Sequence, residues 1–261
     1  MVRPRMTENQ YSVFSRLKEK KEQYVLLPCS HVPFHNQLYF HKIKNLISDI
    51  KPKEIVLQGD FIDCNALGSY EKGKISSTGI DLDEEYDEAN KELNELEQAA
   101  GHSDFVYLFG NHENRYFRWK SDVNNAKYGD LVNPVRAMQL DERGYKVFQD
   151  YLNDFYSIGS LQVIHGEFFN IHAAKRHLDV FRRNIIFAHT HRVQYYREGD
   201  FGSWNIGFLG NKNAPCFNYA SRSMKDRWAN AFAVVTVDGN FFHVDMIEFI
   251  NDSFYYGGIK Y

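Results

Sequence analysis

Cys29-Ser30-His31, Asp60 with Asp63, Asn111-His112-Glu113, His165-Gly166 and His189-Thr190-His191 occupy five separate stretches of this chain. Thiol, imidazole, carboxylate and amide oxygen are the donor types that hold divalent transition metals. Each stretch closes an apolar run: YVLLPCSH, EIVLQGDFID, FVYLFGNHE, LQVIHG and IIFAHTH. A short apolar run that stops at a Gly or polar turn reads as a buried strand. The donors therefore sit at carboxyl ends of strands, and neighbouring ends converge where open α/β sheets bind ligands. The pattern predicts a constructed metal centre rather than scattered histidines.

Asp60 follows Gly59, which lets the backbone turn sharply and carry a carboxylate over the strand end. Its two oxygens can bridge two cations, the usual way of holding metals roughly 3.5–4 Å apart in a hydrolytic site. Asp63, three residues on, is placed to orient a histidine. His189 and His191 would face one side of an extended strand, but at a turn they can diverge. His31 and His165 add imidazoles, and Asn111 adds a neutral oxygen that spares an anionic substrate further repulsion. Any one of these has an ordinary structural reading; five successive strand ends so furnished do not. His35, His41, His102, His177 and His243 lack that setting and read as structural.

The elements that must position these residues follow from periodicity. Amphipathic helices are predicted over Thr7–Glu22, Asn36–Ile50, Asp81–Ala100, Glu113–Lys120 and His172–Phe181, with Pro52 and Gly101 as stop signals. Strands are predicted at Tyr24–Leu27, Ile55–Leu57 and Phe105–Phe109, and beyond His191 at Val193–Tyr196, Trp204–Phe208, Phe232–Val237 and Phe241–Phe249, the last two joined by a hairpin at Asp238-Gly239-Asn240. Ser121–Tyr156 carries little signal beyond a helical stretch at Val132–Leu140. Alternating βα units that give way to antiparallel strands predict α/β architecture: a four-layer αββα sandwich of two mixed sheets flanked by helices. We expect a helical extension at residues 1–23 and one domain at 24–261, with Lys72–Gly79 and Ser121–Asp130 as candidate lid segments.

The chain has 261 residues, 43% of them hydrophobic, which suits one large domain. A formal charge of −3 and a pI near 6.4 exclude a global positive field that would draw it onto nucleic acid or an anionic membrane. This balance favours small or short substrates and leaves room only for a local basic groove. Three dispersed cysteines predict a reducing compartment. With no signal-peptide pattern and no apolar run of membrane-spanning length, a cytoplasmic protein is expected. No motif specifies an oligomeric state.

GDFID, GNHE, HG and AHTH, in this order and spacing, resemble the motifs of the calcineurin-like metallophosphoesterases. The likeness runs from about Tyr24 to His191, and GFLGN, RSMKDRWANAFAVVTVDGN and YYGGIKY resemble the carboxyl region of members encoded by bacteriophages and prophages. The resemblance implies a dinuclear phosphoesterase of phosphomonoesters or phosphodiesters, with nucleotides or nucleic acid as the leading substrate class and phage-infected or bacterial cytosol as its place. It implies one metal on His31, Asp60 and His191, a second on Asp60, Asn111, His165 and His189, and hydroxide formed on them as the nucleophile. His112 then contacts the phosphate and protonates the leaving group, with Asp63 as its orienting partner. GDFIDCN lacks the Arg that the protein-phosphatase branch carries after the second Asp, so a phosphoprotein substrate is disfavoured.

One position departs from the family pattern: Cys29 stands where the motif D-x-H has Asp. Either it is a thiolate ligand, or it is a small thiol left in a lost site and the chain is a catalytically idle binding module. A coordinated thiol is deprotonated outright, which preserves the charge of the site. Sulfur would favour zinc or iron at the first position over manganese or magnesium. Arg115 and Arg192, just past GNHE and AHTH, are placed where a guanidinium fork could meet a phosphate, and either reads equally as a solvated charge.

Overall fold

Tyr24 and Leu26 face one way from the first strand, β1 (Glu22–Leu27), and Val25 and Leu27 face the other; all four are buried. That two-sided burial explains why the run is continuously apolar. The computed structural model describes residues 21–68 and 81–261. Within them β1 pairs in parallel with β2 (Glu54–Gln58), β2 with β3 (Asp104–Leu108) and β3 with β4 (Lys146–Phe148). The second sheet comprises β5 (Tyr156–Ile158), β6 (Leu161–Val163), β7 (Ile185–Phe187), β8 (Val193–Glu198) and β9 (Phe201–Ile206), in the order β5-β6-β7-β9-β8. The hairpin β10 (Ala231–Asp238) and β11 (Phe241–Glu248) returns to the first sheet, where β10 runs antiparallel to β1. A last hairpin joins β12 (Tyr255–Tyr256) to β13 (Ile259–Lys260).

The inner faces of the two sheets share one core: Leu26, Val56 and Val106 from the first meet Leu161, Val163 and Ile186 from the second. Outside the first sheet, Val25, Ile55, Leu57 and Tyr107 pack on α1 (Gln37–Ile50) and α2 (Leu82–Ala100). The helices α3 (Arg115–Lys120) and α4 (Pro134–Ala137) are short. Outside the second sheet, Ile185 and Phe187 pack on α5 (Ala173–Phe181), and α6 (Arg222–Lys225) follows later in the chain. The expected helix, sheet, sheet, helix order is thus present, and both sheets mix parallel and antiparallel pairs.

Local signals account for most element ends. Asn36 accepts from the Tyr39 backbone N–H as the N-cap of α1. Asp81 and Glu84 form a reciprocal capping box on α2, which Gly101 ends with φ 67°. Gly239 and Asn240 make the predicted two-residue turn between β10 and β11, since Asp238 still pairs with Phe241.

Several expectations need correction. The helix predicted over Thr7–Glu22 lies outside the described residues apart from its end, where Glu22 already pairs with Val237; a boundary after residue 23 would cut β1. The segment Lys72–Gly79 also lies outside them. Helix at Val132–Leu140 shrinks to α4, capped by the Asn133 side chain. The strands β4, β5, β12 and β13 were not foreseen, being only two or three residues long. Among the described residues no helix is long and apolar enough to cross a membrane.

Candidate metal centre

Three parallel neighbours, β1, β2 and β3, end in the segments with Cys29, Asp60 and Asn111. Parallel β6 and β7 of the facing sheet end in those with His165 and His189. Gln58, the last residue of β2, joins the two sets: its side-chain amide donates to the carbonyls of Ile164 and Ile186, both at 2.8 Å. Loop backbones add to the tie, as Ser30 and His31 N–H donate to the Asp60 carbonyl at 2.9 Å. His31, Asp60, His189 and His191 all adopt positive φ, between 51° and 60°. Non-glycine residues are held there only when their surroundings over-determine them, and such residues cluster at functional sites.

Glu113 is the clamp that motif reading overlooked. Its fully buried carboxylate accepts from the backbone N–H of Asp60 (2.9 Å), Phe61 (2.9 Å) and Gly110 (2.8 Å) and from the Tyr107 hydroxyl (2.9 Å). It thereby fixes the Asp60 loop against the Asn111 loop. Burial and the neighbouring Asp60 charge push its carboxyl above the usual range. The sequence offers only the position of an acidic residue directly after Asn111-His112; its burial, and so its role, is visible only in the fold.

Two glycines are needed for close approach. A Cβ at Gly59 would stand 2.5 Å from His165 Nδ1, and one at Gly110 would overlap Asp60 Oδ1 and stand 2.6 Å from Asp60 N. We expect Gly110→Ala to displace the Asp60 carboxylate and weaken metal retention by at least about tenfold, as loss of groups that orient ligands does. Metal content after graded chelator dialysis checks this.

The imidazole tautomers follow from their outer partners. His165 Nδ1 donates to the Gln58 carbonyl at 3.0 Å, so its Nε2 faces inward, 3.3 Å from Asp60 Oδ2 and 3.1 Å from Asn111 Oδ1. His31 Nδ1 donates to Asp63 Oδ2 at 3.0 Å, and its Nε2 meets His191 Nε2 at 3.0 Å. His189 Nδ1 is buried with no hydrogen-bond partner. Cys29 Sγ accepts from the His189 N–H at 3.2 Å. Donor atoms of Cys29, His31 and His191 lie within 4.8 Å of one another, as do those of Cys29, Asp60 and His165. These inward atoms are all of metal-ligating types, and a cation entering among them would find its donors already gathered.

The electrostatics agree with ligand chemistry. Burial, and then the His165 charge, pulls His189 down to about 3, and burial with His31 pulls His191 well below the usual imidazole range. Both are neutral, the ligating form. Burial opposes ionisation of Asp60, but the charges of His165 and His112 overcome it and hold the carboxyl well below its ordinary value. Burial and the Asp60 charge push the Cys29 thiol far up, so its thiolate needs a cation beside it.

His112 Nδ1 donates to the Asp63 backbone carbonyl at 2.7 Å, and the Asp63 carboxylate stands 3.5 Å away. The orienting contact expected from the carboxylate is therefore made by the carbonyl; the carboxylate serves His31 first. Arg115 donates through one terminal nitrogen to the Asp63 carbonyl (3.0 Å), with the other 3.2 Å from His112 Nε2. Arg192 donates to the Asn170 carbonyl at 3.0 Å. Of the histidines read as structural, buried His177 donates to the Ala173 carbonyl and accepts from the Glu167 N–H.

The turn that carries Asp63 rests on a buried acid in α2. Glu85 accepts from Asn65 N–H (2.9 Å) and Ala66 N–H (3.3 Å), yet burial and the Asp63 charge push its carboxyl up to about 8. A carboxyl raised on folding binds more protons folded than unfolded between its ordinary value and 8, so it costs stability as pH rises through that window. Glu85→Gln is expected to remove this slope, on the order of 4 kcal/mol across the range. Urea unfolding at pH 5 and pH 8 measures it; parallel pH dependence in the two proteins would contradict it.

Against known proteins, a profile of the calcineurin-like phosphoesterase family matches residues 22–217. The Gene 54 protein of Mycobacterium phage D29 is 21% identical over 246 residues, covering 88% of this chain and 94% of its own. The Gene 54 protein of Mycobacterium phage L5 is 22% identical over 249 residues, with the same coverage of 88% and 94%. Among solved structures, a Vps29 single mutant from Entamoeba histolytica aligns with TM-score 0.48 at 10% identity, covering 89% of this chain and 96% of that one.

Proposed function

Because the chain belongs to the calcineurin-like phosphoesterase family, we propose that it hydrolyses phosphomonoesters or phosphodiesters at this cluster, with two divalent cations. The observation that carries the reading is the inward meeting of His165 Nε2, Asp60 Oδ2 and Asn111 Oδ1, and of His31 Nε2 with His191 Nε2, after the outer nitrogens of His31 and His165 have spent their protons. Cys29, His31, Asp60 and His191 would hold one ion; Asp60, Asn111, His165 and His189 the other. Such ions supply Lewis acidity: they lower the pKa of water toward neutrality and offset charge on phosphoryl oxygens.

The chain's own groups do the rest. Glu113 and the two glycines keep Asp60 between the two histidine sets. His112, its Nδ1 proton held by the Asp63 carbonyl, turns Nε2 toward the guanidinium of Arg115. Once protonated, His112 and Arg115 aim two donors at one point, which suits an anionic oxygen of the ester. His112 then hands its Nε2 proton to the departing alkoxide, and the Asp63 carboxylate steadies the imidazolium. On this reading the chain from β1 onward acts as one unit, in the cytosol of a phage-infected cell. Nucleotides or nucleic acid are the substrate class.

Assays of p-nitrophenyl phosphate and bis-p-nitrophenyl phosphate with manganese, zinc, iron and magnesium test the proposal and separate monoesterase from diesterase. The departure at Cys29 favours a second reading, an idle module of the same fold. Cys29→Asp is expected to keep or raise activity with manganese, and Cys29→Ala to lose the first ion, about half of the bound metal. Equal metal content in the alanine variant would remove Cys29 from the ligand set. No turnover with any metal, and none restored by Cys29→Asp, would support the module.

A further inference from the structure

Two features of the rim have no part in the chemistry above. Phe169, in the loop after His165, is 76% exposed although its ring centroid is only 6.4 Å from that of His189, at an interplanar angle of 78°. A large apolar ring left open beside a polar cluster offers a stacking face to whatever occupies the site. The second feature is a pair of guanidiniums. Arg192 follows His191, and Arg227 precedes Trp228, whose ring packs edge-on against His191 at 4.7 Å. The Ala229 N–H donates to the His191 carbonyl at 2.9 Å, which sets the segments that carry the two arginines side by side. Among the described residues neither arginine has a carboxylate within ion-pair distance, and Arg192 Nε is buried without a partner. Arg192 is tethered through the Asn170 carbonyl to the residue beside Phe169, so ring and guanidinium form one ledge, with the Arg227 segment paired alongside His191.

We propose that Phe169, Arg192 and Arg227 form a subsite for single-stranded nucleic acid, in which Phe169 stacks a base next to the scissile phosphate and the two arginines take the neighbouring phosphate. A mononucleotide would occupy only the metal centre and the ring, leaving the arginines uncompensated. A paired base in a duplex would not be free to stack. Base-on-aromatic stacking beside a cationic track is how strands are held without sequence readout. The basic charge is local, as the net charge of −3 requires. This inference rests on the phosphoesterase reading for the position of the scissile phosphate.

Fluorescence anisotropy of the full chain carrying His112→Asn, which spares the probe from turnover, tests it with a labelled octathymidylate and an abasic octamer of equal charge. Octathymidylate is expected to bind more tightly. Phe169→Ala should weaken octathymidylate roughly 5- to 150-fold, the span of one base–aromatic stack, and leave the abasic strand unchanged. Arg192→Ala and Arg227→Ala should weaken both strands and each lower the slope of log K against log salt by about 0.7. Equal binding of the two strands, Phe169→Ala within twofold of the parent, or thymidine monophosphate competing as strongly as the octamer would overturn it. Hydrolysis of bis-p-nitrophenyl phosphate without base-dependent strand binding sinks the ledge alone; base-dependent binding without any hydrolysis sinks the phosphoesterase reading instead.

Discussion

Asp60→Ala is expected to release both ions together and lower kcat/KM by about 10³-fold or more, the equivalent of several kcal/mol of lost charge stabilisation. The reason is geometric. Asp60 Oδ2 stands 3.3 Å from His165 Nε2, and Asp60 Oδ1 accepts from His112 N–H at 2.8 Å, so one carboxylate faces the second ligand set while it aligns the acid. Its removal leaves neutral imidazoles around an empty centre. The fold should survive, because Glu113 grips the loop through the Asp60 and Phe61 N–H groups, which alanine keeps. Metal content by mass spectrometry, read beside circular dichroism, separates this outcome from unfolding. Retention of both ions by the variant would show that Asp60 is not the bridge.

The second large effect belongs to His112. His112→Asn is expected to lower kcat about 10²- to 10⁴-fold while metal content stays at the parental level, since this ring spends Nδ1 on the Asp63 carbonyl and borders the ligand cluster, with Nε2 3.2 Å from Arg115 and 4.0 Å from Asp60 Oδ2. The loss should depend on the leaving group. A p-nitrophenolate departs without a proton, so its esters should suffer least and alkyl esters most. A uniform loss across both, or a fall in bound metal, would assign His112 a positioning role.

The layers were legible because both faces of β1, β2 and β3 are buried, which makes each run apolar throughout and ends it abruptly at its donor. Where burial is one-sided the signal faded. Lys146–Phe148 is a partly exposed edge strand with three residues in the first sheet, and only its pairing with Val106–Leu108 makes it a strand. The tips of the site were likewise visible as residue types, whereas their partners were not. Nothing in GNHE says that Glu113 accepts five hydrogen bonds, nor in GDFID that the Asp63 carbonyl takes the His112 proton that its carboxylate was expected to share. Gln58 reads as an ordinary strand end, yet it stitches the two sheets together at the level of the donors. Apart from the local bonds of Glu113 to Gly110 and Tyr107, such roles depend on contacts across 49 to 128 residues of sequence, beyond the reach of local periodicity. Phe169 has no local signal of its own: only the fold shows that its ring is left open to solvent.

Anomalous diffraction from crystals grown without added metal tests the central claim most directly. Two peaks are predicted, one enclosed by Cys29, His31, Asp60 and His191 and the other by Asp60, Asn111, His165 and His189, with edges that identify each element. A map without anomalous density at these donors, after metal has been supplied, would mean that the cluster does not bind a cation pair.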